Sequence, residues 1–160
     1  WNSDAFHMTS PSPSGEGARD CMLQALQDAG LGAADIDYIN AHGTSTPLGD
    51  KNETEAIKLA FGEAARNLVV NSTKSMIGHC LGAAGAIECA AVALQLHRGF
   101  VHPSLNCEDV HPDIGPYEAR IPRECVETDN LRVFAKAGFG FGDVNSCLIF
   151  KKWEENGNHG

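Results

Sequence analysis

Between Gly15 and Gly30 the apolar residues Met22, Leu23, Leu26 and Ala29 recur at helical spacing, and Gly30 supplies a natural C-terminal stop, so a helix is predicted there. The lead-in before it, Trp1 to Ser14, is polar, and Pro11 and Pro13 argue against regular structure. Asp37 to Ala41 is a short strand candidate running straight into the polar loop His42-Gly43-Thr44-Ser45-Thr46-Pro47. Asp50 followed three residues later by Glu53 reads as a capping-box-like start for a second helix, with Ile57 and Phe61 on one face. Leu68 to Val70 is the next strand.

The stretch from Asn71 to Gly99 breaks this alternation. Its residues Gly82, Ala83, Ala84, Gly85, Ala86, Cys89, Ala90, Ala91 and Ala93 are very small, and between Lys74 and Arg98 the only formal charge is Glu88. Such a run predicts a central helix pressed by neighbours on every side, with Gly82 and Gly85 marking close backbone approach. His79 is then expected at the helix N-terminus, where the macrodipole keeps its ring neutral. Gly99 to Asn130 carries Pro103, Pro112, Pro116 and Pro122 without a sustained period and reads as a long surface excursion. Leu131 to Ala135 and Ser146 to Phe150 are strands joined by Lys136 to Asn145, a hairpin-like turn rich in glycine and phenylalanine. The order of elements predicts a layered α/β half-domain over residues 1–153, followed by a polar tail at 154–160.

Composition narrows the function. A chain of 160 residues with 42% hydrophobic content is domain-sized and can bury a core. Its formal net charge of −9, with no basic stripe, excludes a surface built for nucleic acid or an anionic membrane. Cys21, Cys80, Cys89, Cys107, Cys125 and Cys147 stand singly, which favours reduced, mostly buried thiols over a disulfide framework. On one continuous helix Cys80 and Cys89 would point to opposite faces. No signal peptide or transmembrane run is predicted, which suits a cytoplasmic protein or one of the plastid or mitochondrial matrix. The first residue is Trp1 rather than Met, so a larger parent protein is expected.

His42 and His79 each follow a strand, at the end where α/β folds gather their sites. Either could be structural, but both precede small or hydroxyl residues suited to a narrow channel. Zinc is the rival reading, and the histidines and cysteines lack the short paired spacings that a structural zinc site needs.

Three segments together carry a resemblance: Asn40-Ala41-His42-Gly43-Thr44-Ser45-Thr46-Pro47-Leu48-Gly49-Asp50, then Ser72-Thr73-Lys74-Ser75-Met76-Ile77-Gly78-His79, then Phe139-Gly140-Phe141-Gly142. In that order they resemble the β-ketoacyl-[acyl-carrier-protein] synthases of the thiolase superfamily, from Ser3-Asp4-Ala5 to about Trp153. The resemblance implies the C-terminal half of a thiolase-like layered fold, a mixed sheet with a buried central helix and covering helices. It also implies a decarboxylative Claisen condensation in fatty-acid synthesis, with malonyl and acyl thioesters as substrates. The partners implied are an acyl carrier protein bearing phosphopantetheine, the N-terminal half of the enzyme and a homodimer mate; no cofactor of the chain's own is implied.

By the same resemblance His42 and His79 donate hydrogen bonds to the malonyl thioester oxygen, and Lys74 polarises the site and, with Glu88, holds His79. Thr44 and Thr46 bond the pantetheine arm. Phe139 and Phe141 belong to the gate of the acyl pocket. Turn support for the threonines and core packing for Phe141 are the plainer alternatives. The family's nucleophilic cysteine belongs to a motif that none of the six cysteines here matches, so these residues alone are expected to be inactive. A non-catalytic subunit like the chain-length factors, or a polyketide ketosynthase, is the alternative. Two further departures are Asp143, where a glycine is usual, and Lys136-Ala137-Gly138 ahead of Phe139. Several members hold a metal cation with the counterparts of Glu88, Asn40 and polar groups just before the gate. Here no metal is expected, and Lys136 is expected to bond Glu88 in the cation's place, the alternative being that Lys136 points to solvent.

Overall fold

The computed structural model describes residues 1–114, 120–127 and 129–153. The first helix, α1, spans Glu16–Ala29 and ends on Gly30 at φ 66°, whose N–H bonds back to the last turn. That is the predicted stop, and it works because glycine enters the left-handed region without steric cost. The lead-in departs from expectation, since Asn2–Ser3 forms β1 and is paired along a sheet edge. Pro11 and Pro13 lie after this strand and do not oppose it.

β2 (Tyr38–Asn40) is followed by α2 (Pro47–Phe61), β3 (Val69–Asn71), the one-turn α3 (Lys74–Ile77) and α4 (Ala84–Arg98). β4 (Phe100–Val101) and β5 (Val126–Glu127) pair as a small separate ladder, so the segment from Gly99 to Asn130 is not purely irregular. β6 (Val133–Gly140) and β7 (Val144–Lys151) form a tight antiparallel hairpin whose strands reach further into the glycine-rich segment than the sequence suggests. The main sheet runs β1-β7-β6-β2-β3, with β2 parallel to both β3 and β6.

Strand alternation assigns each side chain to a layer. Ile39, Val133, Ala135 and Ala137 face α1 and α2 and pack with Met22, Leu26, Ile57 and Phe61. Tyr38 and Phe134 point the other way, onto Val92 and Leu96 of α4, with their rings edge to face at 4.7 Å. Two residues on from Tyr38 and Phe134 come Asn40 and Lys136, which therefore share the α4 side. On α4 the buried stripe is Ala84, Glu88, Val92, Gln95 and Leu96, at helical spacing. The helix thus carries its single carboxylate onto the sheet face that carries Lys136.

Several expectations for this region are corrected. The helix begins at Ala84, not near His79, because Gly78 at φ 75° and Leu81 at φ 49° break the chain first. His79 lies between those breaks, so the macrodipole of a long helix does not act on it, and Cys80 shares no helix with Cys89. Within this chain one face of α4 is bare, Ile87 being 42% and Leu94 52% exposed, and no neighbour lies within 4 Å of a Cβ placed on Gly82 or Gly85, so those glycines mark no close approach inside it. α2 starts at Pro47 with Thr46 as its N-cap, so Asp50 and Glu53 sit inside the helix instead of opening it. All six cysteines are free. Among the described residues no helix is long and apolar enough to cross a membrane. The predicted polar tail at 154–160 lies outside the described residues.

Candidate active site

Because β2, β3 and β6 are mutually parallel in the order β6-β2-β3, their carboxyl ends open on one edge. The loops after Asn40 and Asn71 and the end of β6 therefore meet. The His42 and His79 rings stand edge to face with centroids 5.7 Å apart, and the Phe139 ring packs on His42, also at 5.7 Å. Gly43 (φ 40°) permits the approach of the first two loops, since a Cβ there would stand 2.6 Å from Ser72 Cβ.

The backbone of His42 is held from both sides. Lys74 Nζ donates to the His42 carbonyl at 2.6 Å, while Glu53 accepts from the His42 N–H at 2.7 Å and the Gly43 N–H at 2.8 Å. Burial, reinforced by the nearby Lys74 and Lys136 ammoniums, lowers the His42 ring to about 4, so it is a neutral imidazole. His79 is oriented differently. The Leu81 N–H donates to its Nδ1 at 3.0 Å, which leaves Nε2 to carry the proton of the neutral ring. Two imidazole N–H groups close together, beside fixed positive charge, suit an oxygen that gains negative charge.

That positive charge is a buried triad. Lys74 Nζ lies 2.5 Å from Glu88 Oε1, and Lys136 Nζ lies 2.6 Å from Glu88 Oε2. Lys136 is 3% exposed, so it does not point to solvent. Burial pushes the Glu88 carboxyl up, but the bonds from Lys136 and Lys74 outweigh it and hold the group below its ordinary range. Each oxygen of Glu88 thus already bears an ammonium, and the donor set implied for a metal cation does not fit one here. Asn40 lies opposite Lys136 in the ladder and donates to the Tyr38 hydroxyl and Thr73 Oγ1 at 2.9 and 2.7 Å.

One second-layer expectation needs correction. Lys74 and Glu88 make their contacts with each other and with His42's carbonyl, and among the described residues the bond that orients the His79 ring comes from Leu81. The lysine reaches the His42 loop because β3 lies directly beside β2. Thr44 and Thr46 share a hydroxyl contact of 3.1 Å and, with Lys74, His79, Ser104 and Cys107, line a cleft of about 660 Å³. Phe141 stands at the hairpin turn and is 82% exposed in this chain.

Glu53 was not singled out by the sequence as part of the site. Its signal is a lone acidic residue on the buried face of α2, nearly two turns in from Pro47 and shortly after the histidine loop. Burial raises its carboxyl to about 7, against the two N–H bonds that favour the charge. Glu53→Gln presents an amide NH₂ to one of those N–H groups, and we expect a loss of about 1–3 kcal/mol in urea unfolding of the full-length protein. Unchanged stability would mean that Glu53 does not hold the loop.

The β-ketoacyl synthase C-terminal domain profile matches residues 1–108. Over 151 residues the chain is 46% identical to the 3-oxoacyl-[acyl-carrier-protein] synthase 2 of Staphylococcus aureus, covering 94% of this chain and 36% of that protein. The Coxiella burnetii synthase of the same name is 45% identical over 149 residues, 93% of this chain and 35% of its own length. Among solved structures, a ketosynthase in complex with its type II polyketide acyl-carrier protein superposes with a TM-score of 0.89 at 35% identity, over 96% of this chain and 37% of that one. A β-ketoacyl synthase from Burkholderia phymatum gives 0.86 at 37% identity, over 96% and 36%. The chain thus spans little more than a third of the length of the relatives it matches. The histidine loops, the mixed sheet behind them and these matches agree: this chain belongs to the β-ketoacyl synthase family and corresponds to its C-terminal domain.

Proposed function

We propose that this chain supplies the decarboxylation side of a 3-oxoacyl-[acyl-carrier-protein] synthase that elongates acyl chains in fatty-acid synthesis. The observation that carries the reading is the His42–His79 pair at 5.7 Å, set beside the Lys74–Glu88–Lys136 triad. In the reaction, a malonyl thioester loses carbon dioxide and the electron pair of the broken bond passes into an enolate. The enolate oxygen accepts hydrogen bonds from His42 and His79. The carbanion then attacks an acyl thioester held on a cysteine, and the cysteine thiolate leaves.

Thr44 and Thr46 line the cleft through which the pantetheine arm of an acyl carrier protein enters. Phe139 fixes the His42 ring, and Phe141 faces the acyl chain from the turn. Residues 1–153 act as the C-terminal half-domain of the whole synthase, which pairs as a homodimer. Lys136 takes the position of a bound cation, so the enzyme needs no metal and no cofactor of its own.

The nucleophile comes from outside these 160 residues. None of the six cysteines stands in the family's nucleophile motif, and burial further pushes the Cys21 and Cys89 thiols up and drives Cys147 to about 12, which makes those three poor thiolates. The full-length protein should release carbon dioxide from malonyl-carrier-protein and form a 3-oxoacyl product, while the 160-residue chain alone forms none. Condensation by the isolated chain would refute this assignment. Release of carbon dioxide by the full-length protein without acylation of any cysteine would instead support a decarboxylating partner subunit that does not condense, and neither carbon dioxide nor product would support a non-catalytic one.

A further inference from the structure

The turn between β6 and β7 carries an aspartate in a backbone conformation that suits glycine. Asp143 has φ 58°, directly after Gly142 at φ 85°, and yet it is only 8% exposed. Aspartate enters this left-handed region more readily than most residues because its short side chain can hydrogen-bond nearby backbone. Here its Oδ2 accepts from the backbone N–H of Phe6 and from that of His7, the latter at 2.6 Å. Two amide groups of the lead-in segment converge on one oxygen, the geometry of a small anion nest.

The backbone repeats the connection. The Asp4 N–H donates to the Asp143 carbonyl at 3.1 Å, and the Gly142 N–H donates to the Met8 carbonyl at 2.7 Å. The lead-in is itself anchored below, where Asp4 Oδ1 accepts from Asn145 at 2.6 Å and leaves no room for a side chain on Gly17 of α1. Phe141, one residue before Gly142, stands on a turn whose backbone is tied down while its ring is free.

We propose that Asp143 is a positioning residue, a clasp that fastens the Phe141 turn to the Asp4–Met8 strap so that the two segments are held as one body. With glycine at 143 the two carboxylate bonds vanish and the turn moves against the strap. The clasp rests on the proposed acyl-facing role of Phe141 only for its effect on substrate choice. Its mechanical part stands on the bonds themselves.

The test is hydrogen exchange of the full-length protein, read in peptides spanning 4–9 and 140–145, for the parent, Asp143→Asn and Asp143→Gly. The clasp predicts at least about tenfold faster exchange at Phe6 and His7 in Asp143→Gly, with Asp143→Asn between the two because its neutral oxygen still accepts. It also predicts that Asp143→Gly alters the kcat/KM ratio between long and short acyl primers, through KM more than kcat. Exchange within about twofold of the parent in both peptides of Asp143→Gly would overturn the clasp. Faster exchange with an unchanged primer ratio would leave the clasp standing and overturn the acyl-facing reading of Phe141.

Discussion

In the full-length enzyme, His42→Ala and His79→Ala should each lower malonyl decarboxylation by about 10²–10³, while acylation of the nucleophilic cysteine changes far less. The separation follows from when each group acts. In the proposed reaction neither imidazole makes a nucleophile; both would meet an oxygen that becomes charged only as carbon dioxide departs. Removing one donor therefore costs transition-state stabilisation, about 2.7–4 kcal/mol for groups of this kind. A variant that decarboxylated at the parent's rate would show its histidine to be structural.

The pH dependence follows from the His42 ring, lowered to about 4 by burial and then by Lys74 and Lys136. An unfolded imidazole titrates near 6.5, so between the two values the unfolded chain binds the extra proton. The stability that this ring contributes is present above about pH 6.5 and is lost as pH falls toward 4, at most about 3 kcal/mol. His42→Ala should flatten that acid-side loss in urea midpoints measured from pH 7 to pH 4.5. Through the same range the ring stays a neutral donor, so His42 sets no acid limb of the rate above about pH 5.

The second large effect concerns Glu88. It stands between two ammoniums at 2.5 and 2.6 Å, and it is 1% exposed. Glu88→Gln leaves two buried positive charges without a carboxylate, which should destabilise the protein by about 3–5 kcal/mol. Lys136→Met removes one ammonium and leaves a one-to-one Lys74–Glu88 pair. Its cost should be clearly smaller, even though the bond from Lys136 Nζ to the Ala137 carbonyl is also lost. Urea unfolding at constant m-value separates the two. A Lys136→Met loss equal to that of Glu88→Gln would mean that the triad does not act as a shared charge cluster.

How far the sequence reaches is clear from these residues. α1 was legible from its apolar stripe and Gly30, because that information lies within one element. The meeting of His42 and His79 was legible only in outline, from their common strand-end setting; the distance depends on β2 and β3 being adjacent and parallel. The start of α4 was not legible, since the breaks at Gly78 and Leu81 are backbone conformations, and leucine at positive φ has no sequence signature. Glu53 was hidden for a related reason. A glutamate three residues after an aspartate looks like a cap until Thr46 and Pro47 take that place, and its true partners lie in another loop.

His42 and His79 are proposed to form one oxyanion site. This is tested most directly by a crystal structure of the full-length protein with a malonyl thioester analogue that cannot lose carbon dioxide. The thioester carbonyl oxygen is expected within about 2.7–3.1 Å of a ring nitrogen of each histidine, with Nε2 as the atom on His79. An analogue bound in the cleft with its carbonyl oxygen out of hydrogen-bond reach of both rings would contradict it.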